Sequence, residues 1–238
     1  MIGNLEEFLT GVAVGVRFRA NFSIEDQIGK IADTLLYSKN SYFSPNVFPQ
    51  VQNMVGSKQL LNTKTMDRLQ VDNSNVILDF NFLKDSFFQR KNTATTLKEF
   101  DRQVIKGVMV DFKIKEIVRI GIIQRYIFTI EDLARTFVDK TIGKTLDGVN
   151  DINLSFSKRV PVGESLVKRG VNDYDNVIFN IIKKADLKEI FMAIDYQSYF
   201  DPFLPHPGEI EFDKFLQRAN DFNNGKYLNW LNTNYIEA

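Results

Sequence analysis

Cysteine is absent from this 238-residue sequence, and histidine and tryptophan occur once each. Without cysteine there are no disulfides, thiolate metal sites or thiol nucleophiles, a usage that fits a reducing compartment. No histidine pair is available to hold a metal. An excess of one charge is missing too: 30 basic and 30 acidic residues cancel. No global field therefore draws the chain to nucleic acid or anionic lipid, and any such binding must come from a local patch. No stretch approaches the ~20 apolar residues of a spanning helix, and the opening MIGNLEEFLTG has neither a basic leader nor a long apolar segment. These absences give the expectation of a cytoplasmic protein with no membrane partner. Gly-x-Ser-x-Gly, Gly-x-x-x-x-Gly-Lys and Gly-x-Gly-x-x-Gly are missing as well. The common hydrolase, NTPase and dinucleotide signatures thus do not apply, no cofactor is expected, and an enzyme is the less favoured reading.

What the sequence does have is bulk and a repeat. Its 21 phenylalanines and 44% hydrophobic content supply a large aromatic core. Residues 12–36, VAVGVRFRANFSIEDQIGKIADTLL, lie over VRIGIIQRYIFTIEDLARTFVDKTI at an offset of 106. Val12/Val118, Gly15/Gly121, Arg19/Arg125, Phe22/Phe128, Ile24/Ile130, Glu25/Glu131, Asp26/Asp132 and Asp33/Asp139 are identical, and a self-match at fixed offset is the mark of an internal repeat. With the offset drifting, Asp79, Asp85 and Phe87 meet Asp195, Asp201 and Phe203. At an offset of 112, Glu99-Phe100-Asp101-Arg102 meets Glu211-Phe212-Asp213-Lys214.

Hydrophobic patterning turns the repeat into elements. Val12, Val14, Val16 and Phe18 alternate with Ala13, Gly15, Arg17 and Arg19, as in a strand with one buried face. Ser23 is expected to cap a helix bearing Ile24, Ile28, Ile31 and Leu35 on one stripe, and the second copy repeats this from Thr129 to a stop at Gly143. Four strands are expected after each first helix, at 46–54, 58–63, 66–72 and 75–83 and then at 151–159, 164–170, 175–184 and 188–197, separated by turn formers. A helix closes each half, from about Thr95 to Val110 and from about Glu209 to Phe222. The expectation is an α+β protein: a tandem duplication of a strand-helix-four-strand-helix unit, its antiparallel sheets carrying helices on one face. The first unit would cover 1–115 and the second 116–238, ending in an aromatic tail with Tyr227, Leu228, Trp230, Leu231, Tyr235 and Ile236.

That order of elements resembles the duplicated saddle of the TATA-binding protein fold, at the level of fold alone. Three further segments, Arg119-Ile120-Gly121 with Arg125-Tyr126, the Ala193-Ile194-Asp195-Tyr196 strand, and the tail from Glu209 onward, resemble an uncharacterised, sporadically distributed bacterial family of similar length. This resemblance implies an early strand and a late strand before a closing helix, and it implies no activity.

Alternation assigns Arg17, Arg19, Arg119 and Arg125 to the face opposite the helices, with Asp79 and Asp195 on the last strands and Gly15 and Gly121 beside them. Glycine on an open sheet face leaves bare backbone that a ligand or chain can approach. The bland alternative is cross-strand pairing of these arginines with the two aspartates. Glu25-Asp26 and Glu131-Asp132 read as helix first turns, where acids complement the dipole, rather than as metal ligands. His206 reads as a turn residue between prolines, Lys158-Arg159 and Lys168-Arg169 as solvated strand ends, and the aromatic tail as a segment docked on its own core. No catalytic and no metal-binding residue is assigned. The leading expectation is a non-enzymatic binding or scaffold protein that presents the polar face to a protein partner. The alternatives are nucleic-acid binding by the same face and a small-molecule or nucleotide sensor in the cleft between repeats.

Overall fold

A computed structural model describes residues 2–82, 86–129, 151–161, 172–183 and 189–236; of residues 81, 86–92, 161, 235 and 236 it describes the backbone alone. The chain is α+β, built on a nine-stranded antiparallel sheet in the order β2-β3-β4-β5-β1-β6-β9-β8-β7. These strands are β1 (Leu9–Phe18), β2 (Gln50–Met54), β3 (Ser57–Leu61), β4 (Arg68–Asp72), β5 (Asn75–Asn81), β6 (Ile117–Phe128), β7 (Ile152–Pro161), β8 (Tyr174–Lys183) and β9 (Ile190–Leu204). Where separate sheets were expected, β1 pairs directly with β6 and joins everything into one. The reason is visible in the sequence of both strands: each is apolar along one full face, so pairing them buries both edges and continues one core.

That core lies under one face. Val12, Val14, Val16 and Phe18 of β1, Ile120 and Ile122 of β6, and Met192, Ile194 and Tyr196 of β9 are all buried. The buried apolar residues form a cluster that runs from Ile2 to Leu231 across both expected units. Helices cover it: α1 (Phe22–Glu25), α2 (Ile28–Tyr37), α3 (Ser86–Glu99), α4 (Met109–Asp111), α5 (Phe212–Asp221) and α6 (Leu228–Leu231), with π-helical turns at Phe100–Val108, Phe222–Tyr227 and Asn232–Ile236 making longer continuous runs. The expected helix at 95–110 therefore begins earlier, at Ser86. The aromatic tail is helical and turns Tyr227, Leu228 and Leu231 into the core, with Trp230 half-buried.

Local chemistry differs from expectation at two points. Asn21, not Ser23, caps α1: its Oδ1 accepts from the Ser23 N–H at 3.0 Å and from the Ser23 hydroxyl at 2.8 Å. An Asx side chain two residues ahead reaches the free N–H better than the hydroxyl already inside the turn. β7 pairs with β8 along its whole length, from Ile152 opposite Lys183 to Pro161 opposite Tyr174; the strand expected at 164–170 is outside the described residues. So are the second copy's helix with Glu131-Asp132 and Gly143, and Lys168-Arg169. The β2–β3 hairpin closes through Val55 and Gly56, and Gly56 takes the left-handed φ of 70° that the tight turn requires.

Candidate functional site

The face away from the helices is uncovered among the described residues, and one register row crosses it from edge to edge. Gln52, Gln59, Gln70, Ile77, Gly15, Gly121, Gln197, Asn176 and Arg159 stand opposite one another in succession. At the centre of that row Gly15 and Gly121 face each other directly, and without side chains they leave a depression of roughly 100 Å³. Ile77 and Ile123 wall it on two sides, while Arg17, Arg119, Asn75, Asp195 and Gln197 stand at its rim.

The two glycines differ in what holds them. A Cβ on Gly15 would sit 3.0 Å from Ile77 Cγ1 and 3.1 Å from the Val76 carbonyl oxygen, tight enough that the neighbouring strand must give way by a few tenths of an ångström. A Cβ on Gly121 would meet Gln197 Cγ at 3.5 Å and the Tyr196 oxygen at 3.6 Å, ordinary contact distances. Gly15→Ala is therefore expected to lower stability by about 1–3 kcal/mol, as overpacking does. Gly121→Ala is expected to stay within about 1 kcal/mol of wild type because the backbone entropy gained offsets the contact. Urea denaturation of the two variants checks this; equal losses would mean that the two positions are not packed as described.

The charged groups divide sharply. Asp79, only 4% exposed, receives both Arg125 and Arg68, the latter through Nε at 3.1 Å and Nη2 at 2.7 Å. One expected arginine and one unexpected one are thus neutralised there. Arg19 leaves β1 after a register shift and pairs with Glu116 at 3.3 Å, away from the depression. Asp195 forms no ion pair among the described residues; Gln197 Nε2 donates to it at 2.5 Å. Burial pushes its carboxyl above the usual carboxylate range, against the opposing pull of Gln197 and of the Arg119 charge.

At the depression two guanidinium groups, Arg17 and Arg119, are in no ion pair among the described residues. Arg17 is exposed and has no partner among the described residues. It stands directly opposite Arg119 across the β1–β6 pair, an arrangement of like charges that a sheet disfavours. Arg119 donates to the Tyr199 hydroxyl at 2.9 Å and lies 5.5 Å from the centre of that ring. Tyr199 stacks on Tyr174 at 4.8 Å and 7°, and Arg159 covers the other face of Tyr174 at 3.6 Å. The four side chains form a closed sandwich with guanidinium at each end and both ring faces occupied.

Of the residues singled out in the sequence, Gly15, Gly121, Arg17, Arg119 and Asp195 surround the depression, whereas Asp79 with Arg125 makes an ion pair farther along and Arg19 lies at the strand exit. Arg68, Asn75, Ile77, Ile123, Gln197 and the two tyrosines were missed. Period-two alternation held the signal for most of them, since each points the same way as Gly15 or Gly121 within its own strand, but only the register between strands selects which ones meet. His206 caps the turn Pro207–Glu209, its Nδ1 accepting from the Gly208 N–H at 3.1 Å. No helix among the described residues is long and apolar enough to cross a membrane. No protein-family model matches the chain, and neither does any curated protein sequence.

Proposed function

We propose that this chain is a non-enzymatic binding protein whose open sheet face receives an acidic segment of a protein partner. The observation that carries this reading is the pair Arg17 and Arg119, opposed at the rim of a glycine-floored depression and in no ion pair among the described residues. A partner carboxylate between the two guanidinium groups relieves their repulsion and makes charge-assisted hydrogen bonds. A small apolar side chain next to it fits between Ile77 and Ile123 on bare backbone. The rest of the face, rich in amides, tyrosine and arginine, has the composition of an interface that is polar outside and closely packed at its centre.

The nucleic-acid alternative is supported less by the same geometry. Arg68 and Arg125 are consumed by Asp79, so among the described residues the free cations form no continuous stripe for a phosphate backbone. The ring faces of Tyr174 and Tyr199, which bases would need for stacking, are already covered.

The test uses immobilised acidic peptides alongside a labelled single-stranded oligonucleotide. Wild type is expected to retain peptides that carry a carboxylate beside a small apolar residue, and Arg17→Glu with Arg119→Glu is expected to weaken that retention by about 100-fold or more, as reversing both charges of a binding pair does. Asp195→Asn, which removes the one unpaired carboxylate at the rim, is expected to tighten it. Oligonucleotide binding that falls steeply with salt, with no peptide retained, would move the assignment to nucleic acid.

The duplication belongs to the same proposal. Residues equivalent at an offset of 106 meet face to face at Gly15 and Gly121, where a pseudo-two-fold would pass through the sheet. Outward from that point the strands run β1, β5, β4, β3, β2 on one side and β6, β9, β8, β7 on the other, first strand and then last in each. A depression on the pseudo-axis is then a feature that either unit alone would lack.

A further inference from the structure

A second cavity lies on the opposite, helical side of the sheet, and none of the open-face residues lines it. Its volume is about 230 Å³. The central strands make its floor with Val12, Ile122, Gln124 and Tyr126, and its walls come from the 3-10 turn Leu5–Phe8, from α3 through Ala94 and Leu97, and from α5 and the turn after it through Leu216, Asn220 and Asn224. It therefore sits where helices from the first and second parts of the chain approach one another over the β1–β6 pair.

The chemistry of the lining is selective. Glu6 is the one charged side chain among the lining residues, exposed at the mouth and with no ion-pair partner among the described residues. The other polar groups are neutral. Burial pushes the Tyr126 hydroxyl up, and the nearby Glu6 charge adds to the effect, so it remains a neutral phenol. Asn223 Nδ2 donates to Gln124 Oε1, which leaves Gln124 Nε2 with no partner among the described residues. Asn223 itself is 2% exposed and does not line the cavity, so the free Gln124 donor is the one that faces it.

From this arrangement we infer that the cavity is a binding site for a small organic amine. The ammonium group sits against the Glu6 carboxylate at the mouth, the apolar body lies on Leu9, Val12, Ile122 and Leu216, and an acceptor on the ligand takes the Gln124 Nε2 donor. A concave, largely apolar site with a few convergent polar groups is the usual form of a small-molecule pocket. Among the described residues an anion finds no cation there and meets the Glu6 carboxylate instead, which disfavours phosphorylated and carboxylate ligands of the same size.

Isothermal titration calorimetry with tryptamine and phenethylamine, and with 3-phenylpropionate as the anionic control, tests the inference on the full chain. At least one amine is expected to bind and the carboxylate is not. Glu6→Gln is expected to weaken the amine about tenfold, the loss of one charge-assisted contact. Ala94→Trp is expected to abolish binding by filling the mouth; both positions are exposed, so the fold should survive either change, as a circular-dichroism melt will verify. The inference is overturned if neither amine binds, if 3-phenylpropionate binds as tightly as the amines, or if Glu6→Gln leaves the affinity unchanged. Because the open face lies on the other side of the sheet, Arg17→Glu with Arg119→Glu should leave amine binding intact, and the two sites stand or fall separately.

Discussion

Replacing Asp175 by alanine is expected to lower the unfolding free energy by about 3–5 kcal/mol, the range seen when one member of a buried charged network is removed. Asp175 is 3% exposed on β8. Its Oδ2 accepts from the Tyr196 hydroxyl at 2.5 Å and from Arg218 Nε at 3.3 Å, while Oδ1 accepts from the Ser198 hydroxyl at 2.5 Å; Arg218 Nη2 also donates to Ser198 at 2.9 Å. β8, β9 and α5 are thereby tied at a single carboxylate. Alanine would leave two hydroxyls and a mostly buried guanidinium without their acceptor, and desolvated groups of this kind each cost about 1–3 kcal/mol. Asp175→Asn keeps the shape and one acceptor but loses the charge facing Arg218, so a smaller loss, about 1–3 kcal/mol, is expected. Against a total stability of about 5–15 kcal/mol, the alanine variant should show a clearly lower urea midpoint. A loss below about 1 kcal/mol would mean that water already reaches this carboxylate.

The contrast between Asp175 and Asp79 explains what could be read from the sequence. Alternation in the strands, the turn residues between them and the closing helices were legible because each depends on neighbours within a few positions. Each of the nine strands begins within about four residues of the pattern-based expectation, and alternation alone puts Gly15 and Arg17 of β1 on one face, as it does Arg119 and Gly121 of β6. Pairing is a different matter. Asp79 was paired in expectation with an arginine of the repeat, which Arg125 fulfils, but Arg68 joins it from β4 through a register that no local pattern encodes. Asp175 carries no signal of its own, because an aspartate at the polar start of a strand, in Asn172-Asp173-Tyr174-Asp175-Asn176, looks like a solvent-facing residue until Arg218, 43 positions away, arrives on α5. Likewise the closed sandwich of Arg119, Tyr199, Tyr174 and Arg159 depends on β9 continuing to Leu204, past the expected end at 197. The cavity bounded by Glu6 and Gln124 requires three segments far apart in the chain. Sites made by one strand were therefore visible, and sites made by register or by helix docking were not.

Phe100→Ala and Phe212→Ala are each expected to cost about 3–5 kcal/mol, the range for deleting a fully buried phenylalanine. The two residues occupy corresponding places in Glu99-Phe100-Asp101-Arg102 and Glu211-Phe212-Asp213-Lys214, and they meet in the core with ring centres 6.2 Å apart at 47°. Phe100 is 0% and Phe212 1% exposed. The flanking residues repeat the correspondence: Glu99 pairs with Arg102 at 2.6 Å and Glu211 with Lys214 at 2.8 Å, both at the i,i+3 spacing of a helix surface. A tilted aromatic pair adds about 0.5–1.5 kcal/mol beyond area burial, so the double variant should lose less than the sum of the singles by about that amount. A double-mutant cycle by urea denaturation measures it directly. Additivity within about 0.3 kcal/mol would mean that the rings do not touch in solution. Under the proposed duplication the contact joins the same position of two equivalent units across their pseudo-axis. The helices that close the two units then hold each other over the one sheet, and the same axis that brings Gly15 against Gly121 on one side brings Phe100 against Phe212 on the other.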